Sequence, residues 1–128
     1  MTQRTQRNLN VAMHSEAFAS AKYKRYAAFS RSNNNEAFAK LLAELADESR
    51  TDNFAEELKL SGIVGGDLVN LKDVLQDLQY HVERYRQFAA EAKNDGDESA
   101  FRLFSSVMQK DENVVRELQK TIDESQRS

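Results

Sequence analysis

Apolar residues recur along this chain at alternating spacings of three and four, in four blocks divided by three short polar or glycine-rich breaks. In the first block, from about Arg4 to Ser30, the row is Leu9, Ala12, Glu16, Ala19, Tyr23 and Tyr26. The break Ser32-Asn33-Asn34-Asn35 comes next, built of residues that suit turns and helix N-caps. The second block starts near Glu36, carries Phe38, Leu41, Leu42, Leu45, Ser49 and Asp52, and is expected to end between Phe54 and Leu60. Three of the four glycines then fall in Ser61-Gly62-Ile63-Val64-Gly65-Gly66, with Asp67 as a capping residue for the third block. The third block carries Leu71, Val74, Leu75, Leu78, His81, Tyr85 and Phe88 and stops at Asn94-Asp95-Gly96-Asp97. The fourth runs from Glu98 to about Ser125 with Phe101, Phe104, Val107, Met108, Asp111, Val115, Leu118 and Ile122 inward.

Each block has one apolar and one charged face, and no strand pattern competes. Four amphipathic helices of about 35–40 Å predict an all-α antiparallel four-helix bundle, a single domain over residues 1–128. The absence of proline favours the same long helices. The absence of cysteine removes disulfides, thiolate metal sites and a cysteine nucleophile together.

Charge narrows the partners. The net charge is -3 with both signs mixed along the chain, an ordinary surface that predicts no nucleic-acid partner. The cluster Lys22, Lys24 and Arg25, with Tyr23 and Tyr26, reads as the wet face of a helix. His14 reads as a solvated residue. No apolar run approaches the roughly 20 residues of a membrane span, and Met1-Thr2-Gln3-Arg4 lacks the apolar core of a signal peptide. The expected setting is cytoplasmic, away from a membrane.

Chemistry enters where the apolar rows are interrupted. Glu16, Asp52, His81 and Asp111 each stand on a core-facing row near mid-helix, so an antiparallel bundle brings three carboxylates and an imidazole to one level. Burying such charges without partners costs several kcal/mol. A divalent cation such as iron, manganese or zinc neutralises the layer in one way. Shared protons and bonds to Tyr23, Tyr26, Tyr80 or Tyr85 do so in another. A rotation of the helices that brings some of the four to water is a third. Lys22, Arg50 and Arg84 are near enough on the helical wheel to assist the last two.

The segments also carry a family resemblance. Ser15-Glu16-Ala17-Phe18-Ala19-Ser20-Ala21-Lys22-Tyr23 resembles the first helix of rubrerythrins, in the ferritin-like superfamily, and Glu36-Ala37-Phe38-Ala39-Lys40-Leu41-Leu42 through Glu48 resembles the second. Gly62-Ile63-Val64-Gly65-Gly66-Asp67, leading into Asn70-Leu71-Lys72, is similar to the loop into the third; Glu83-Arg84-Tyr85 and Arg102-Leu103-Phe104 are similar to later turns. The resemblance implies a ferritin-like fold and a di-iron site of glutamates and Glu-x-x-His motifs. Of those ligands Glu16 matches. The others fall on Ser49 and Asp52, on Asp111 and Val114, and in the third helix on Leu78 and His81 when anchored at Asn70-Leu71, or on Asp77 and Tyr80 when anchored at Tyr85, the apolar stripe favouring the first. Most are therefore substituted, and a single-ion site at Glu16, Asp52, His81 and Asp111 is what remains. The family's cysteine-bound rubredoxin iron has no counterpart, so peroxide reduction would need an external electron donor.

Connectivity bears on assembly. Ferritin-like topology requires the second helix to reach the third across the bundle's length. A linker of about six residues spans at most roughly 20 Å. Either the second helix stops near Phe54, or helix pairs are exchanged in a homodimer; the swapped dimer is the expectation. Two functions stand: a rubrerythrin-like metalloprotein binding iron or another divalent ion with a peroxide-related role, and a metal-free, non-catalytic bundle acting by dimerisation or partner binding.

Overall fold

The computed structural model describes residues 1–127, and every regular element in it is helical. In chain order these are α1 (Gln3–Ser32), α2 (Glu36–Asp47), a π-helical segment (Glu48–Phe54), α3 (Ala55–Ser61), α4 (Asp67–Asp95) and α5 (Glu98–Arg127). The four blocks of the sequence are all present as helix, the second one subdivided. The chain forms two compact units, Met1–Val64 and a second beginning at Gly65.

In the first unit, α1 starts where the Thr2 hydroxyl accepts from the Thr5 N–H at 3.2 Å. The asparagine break acts as its composition predicts. Asn34 takes a left-handed conformation (φ +61°), and the Asn35 side chain accepts from the Phe38 N–H at 3.2 Å to cap α2. Met13 and Ala27 of α1 and Ala39 and Ala46 of α2 are buried, and the small alanines let two helix axes come close.

Past Asp47 the helix continues in π geometry, where i→i+5 bonding takes an extra residue per turn and rotates everything downstream. Ser49 is buried, but Asp52 is exposed; the inward positions after it pass to Phe54, Glu57 and Leu58. Two hydroxyls bond to carbonyls next to this segment. Ser20 donates across from α1 to the Ala46 carbonyl at 3.0 Å, and Thr51 donates back to that of Asp47 at 2.6 Å. α3 closes on Gly62 at φ +72°.

The second unit opens with a reciprocal clasp. The Gly65 N–H donates to the Asn70 side-chain oxygen (2.8 Å), and the Asn70 amide donates back to the Gly65 carbonyl (2.9 Å). α4 and α5 form a hairpin around Leu75, Val82, Ala89, Ala92 and Ile122. Tyr85, Phe88 and Phe104 stack beside them, ring centroids 5.7 to 6.0 Å apart. The turn between the helices places Gly96 at φ +79°. Its N–H and that of Asp97 satisfy the last carbonyls of α4, including Ala92, in the manner of a Schellman stop.

Candidate functional site

Each hairpin carries an apolar row that its own partner helix does not cover. In the first unit, Phe38, Leu41 and Leu45 of α2 are 62, 56 and 39% exposed. They flank the buried Ala39 and Ala46, on the edge of the seam where α1 presents Ala19, Tyr23 and Tyr26. In the second unit, Arg86 of α4 donates to Glu112 of α5 at 2.9 Å and closes one edge of the seam. Along the other edge run Val74, Leu78, His81 and Tyr85 on α4 and Val107, Asp111, Val114 and Leu118 on α5, each spaced four, three, four. Val74 and Val114 are exposed there, as is Leu103 one turn before Val107.

The four residues singled out by the sequence distribute over these two hairpins. Glu16 is half-buried beside the α1–α2 seam, and Asp52, within the π segment, is exposed. His81 is exposed and Asp111 half-buried, both on the uncovered edge of the α4–α5 hairpin. Among the described residues no group of three or more histidine, aspartate or glutamate side chains gathers in a way that would hold a metal ion. Within either unit by itself, only two of the four are available.

The cations and rings expected to assist are engaged elsewhere. Arg50 pairs with Asp47 at 3.3 Å on the surface. The Arg84 guanidinium lies 5.2 Å from the Tyr80 ring centre, and the Lys22 ammonium lies 5.0 Å from that of Phe18. His14 shares a hydrogen bond of 2.7 Å between its Nδ1 and the Asn10 carbonyl one turn earlier.

Two polar groups matter that periodicity did not reveal. One oxygen of Glu57 is shielded from solvent with no hydrogen-bond partner. Arg86 bonds to both Glu83 and Glu112, and these carboxylates, Glu83 foremost, hold its guanidinium above the ordinary arginine value. An i,i+3 search along α4 finds the first of those partners; the second lies on another helix and leaves no local signal. Comparison with known protein families, curated proteins and solved structures finds no match for this chain.

Proposed function

We propose that the chain is a self-assembling helical module, in which the uncovered apolar rows of each hairpin are buried against a second copy. The exposed row Phe38, Leu41 and Leu45, with its counterpart around Val74 and Val114, carries this reading. Among the described residues no large side chain is fully buried, and the core is mostly alanine and valine-sized.

Exchange of hairpins between copies is the form of dimer that the connection supports. The helical path continues through the π segment to Ser61, and α4 begins at Asp67. The intervening residues 62–66 reach at most about 18 Å, against about 43 Å for the length of α4. A ferritin-like crossover within one chain needs the longer distance, whereas exchange needs only the shorter.

Light scattering on the purified chain tests this: a particle of twice the 14.6 kDa chain mass is expected. The double change Leu41→Glu, Leu103→Glu should return the mass to that of one chain, with helicity kept because both side chains are exposed. A strictly monomeric wild type overturns the proposal.

A second reading rests on where the polar groups lie. His81 and Asp111 occupy the same uncovered edge, with Glu16 half-buried beside the other seam. Apolar surfaces closing around those carboxylates and that imidazole would need a counter-charge, and a divalent ion such as iron supplies one. This reading keeps the rubrerythrin resemblance and its redox or peroxide-related role. Metal content after loading with iron, compared between wild type and His81→Ala, decides it. Equal metal content and an unmoved melting temperature under chelator would leave assembly alone as the function.

A further inference from the structure

The half of α1 turned away from the α1–α2 seam has a pattern that neither helix packing nor assembly uses. Val11, Phe18 and Phe29 are 66, 66 and 68% exposed. Their spacings of seven and eleven residues set them along a single line of a helix with 3.6 residues per turn. Cations flank that line on both sides. Arg4 and Lys22 lie 18 residues apart, five whole turns, and so share one azimuth; Arg7 and Arg25, also 18 apart, share another on the opposite flank. The two pairs repeat after about 27 Å of helix. The Lys22 ammonium lies over the Phe18 ring, which joins the apolar line to the flanking charge.

No carboxylate interrupts this surface. Glu16 is the one acid within α1, and it is half-buried on the opposite, seam-facing side. A stripe with four cations and no acid repels a second copy of itself, so its occupant is anionic. The placement of the apolar residues selects among anions. Proteins that track nucleic acid put cations centrally on the phosphates and aromatics in a groove where bases stack. Here the apolar side chains follow the middle of the stripe on the outside of a helix, with the cations about 20–40° to either side. That order suits a lipid interface, where Phe enters the headgroup region and Arg and Lys extend sideways to the phosphates.

We propose that α1 docks through this stripe, lying flat, on an anionic lipid surface. Among the described residues no helix is long and apolar enough to cross a membrane, and none is required, because attachment is along the surface. The stripe departs from the reading of Lys22 and Arg25 as merely solvated, because their azimuths and the line of Val11, Phe18 and Phe29 are not visible in the charge cluster alone.

The test is co-sedimentation of the full chain with vesicles of pure phosphatidylcholine and of an equal mixture with phosphatidylserine. Binding to the mixed vesicles and not to the neutral ones is expected, falling away in high salt. Changing Arg4, Arg7, Lys22 and Arg25 to Gln should weaken the partition by about fivefold for each cation removed. Phe18→Ala with Phe29→Ala should weaken it by about tenfold or more while leaving every charge in place. Lys110→Gln with Lys120→Gln, which removes two cations from α5, should change it little. Helicity of each variant is checked by circular dichroism, and loss of binding counts only where helicity is kept. For the phenylalanine pair, the milder Phe18→Leu with Phe29→Leu should retain most of the binding. Absence of binding to the mixed vesicles overturns the proposal, as does equal binding to neutral ones or an equal loss in the Lys110, Lys120 control. Retention by the stripe of a single-stranded oligonucleotide or an acidic protein, without vesicle binding, would likewise overturn it.

Discussion

The two hairpins solve the same packing problem with different materials. The first seam buries Met13 and three alanines, Ala27, Ala39 and Ala46, and the alanines permit close approach but give little shape to lock. Its second helix is broken by the π segment, and hydroxyls of Ser20 and Thr51 bond to carbonyls beside it. The second seam joins Leu75, Val82 and Ile122 to Ala89 and Ala92, beside the Tyr85, Phe88 and Phe104 rings, and its helices run 29 and 30 residues without interruption. Charge divides as well: nine cations against eight acids over residues 1–64, and nine against thirteen over residues 65–128, giving +1 and -4. A large, interlocking seam keeps a helix regular, whereas an alanine seam leaves room for the backbone to change pitch.

The largest test of this contrast is Ile122→Ala. Ile122 is 2% exposed and the bulkiest well-buried group in the second hairpin, so its truncation should cost about 2–5 kcal/mol in unfolding free energy. Amide exchange should place the lost protection in α4 and α5, not in α1 and α2. A cost below about 1 kcal/mol would mean that the second seam is not held by shape. The reciprocal test adds volume to the first seam. Ala39 has no exposed surface, and Ala39→Leu should cost about 1–3 kcal/mol by forcing the helices apart. Tolerance of Leu at this position would show slack between α1 and α2, and close approach of the two helices could then no longer explain the alanines.

How far the sequence disclosed all this depends on the kind of signal. Breaks made of Asn and Gly are local, and the helix limits at Asn33 to Asn35, Gly62 and Gly96 appear where composition put them. The apolar rows were equally legible, because a 3.6-residue period is a property of the chain alone. The π segment was not: nothing in Glu48-Ser49-Arg50-Thr51-Asp52-Asn53-Phe54 marks an extra residue per turn. Asp52 stands seven residues past Leu45, in the row of Phe38 and Leu45 that the fold leaves to solvent, so a row of apolar spacing was not by itself a buried row. The second helix was expected to end between Phe54 and Leu60, and the helical path runs through the irregular turn to Ser61, one residue beyond that range. The grouping of Glu16, Asp52, His81 and Asp111 needs distances between helices, which periodicity does not contain. The solvent stripe of α1 has the same helical period as the core row, but lies on the opposite side of the helix, where polar and apolar residues mix.

The smallest expected effect bears on the one cross-helix ion pair among the described residues of the second hairpin. Arg86 serves two carboxylates: Glu83 one turn back on α4, and Glu112 on α5. Exposed pairs of this kind contribute little because water and salt screen them. In a double-mutant cycle with Arg86→Gln and Glu112→Gln, the coupling should therefore fall below the effects of Ile122 and Ala39 and vanish in molar salt. Its pH dependence is set by the guanidinium. The Arg86 value is raised in the folded chain, so its contribution is present below the unfolded arginine value and is lost only as pH climbs through the raised one. From the arginine side the coupling should thus be flat from neutral to strongly alkaline solution. Competition gives the sharper discrimination. Glu83 is the larger of the two influences on Arg86, so repeating the cycle in a Glu83→Gln background should increase the coupling to Glu112. A coupling that shrinks in that background would mean that Glu83 positions the guanidinium for its partner on α5, and the second hairpin would then owe part of its seam to a charge network as well as to its rings.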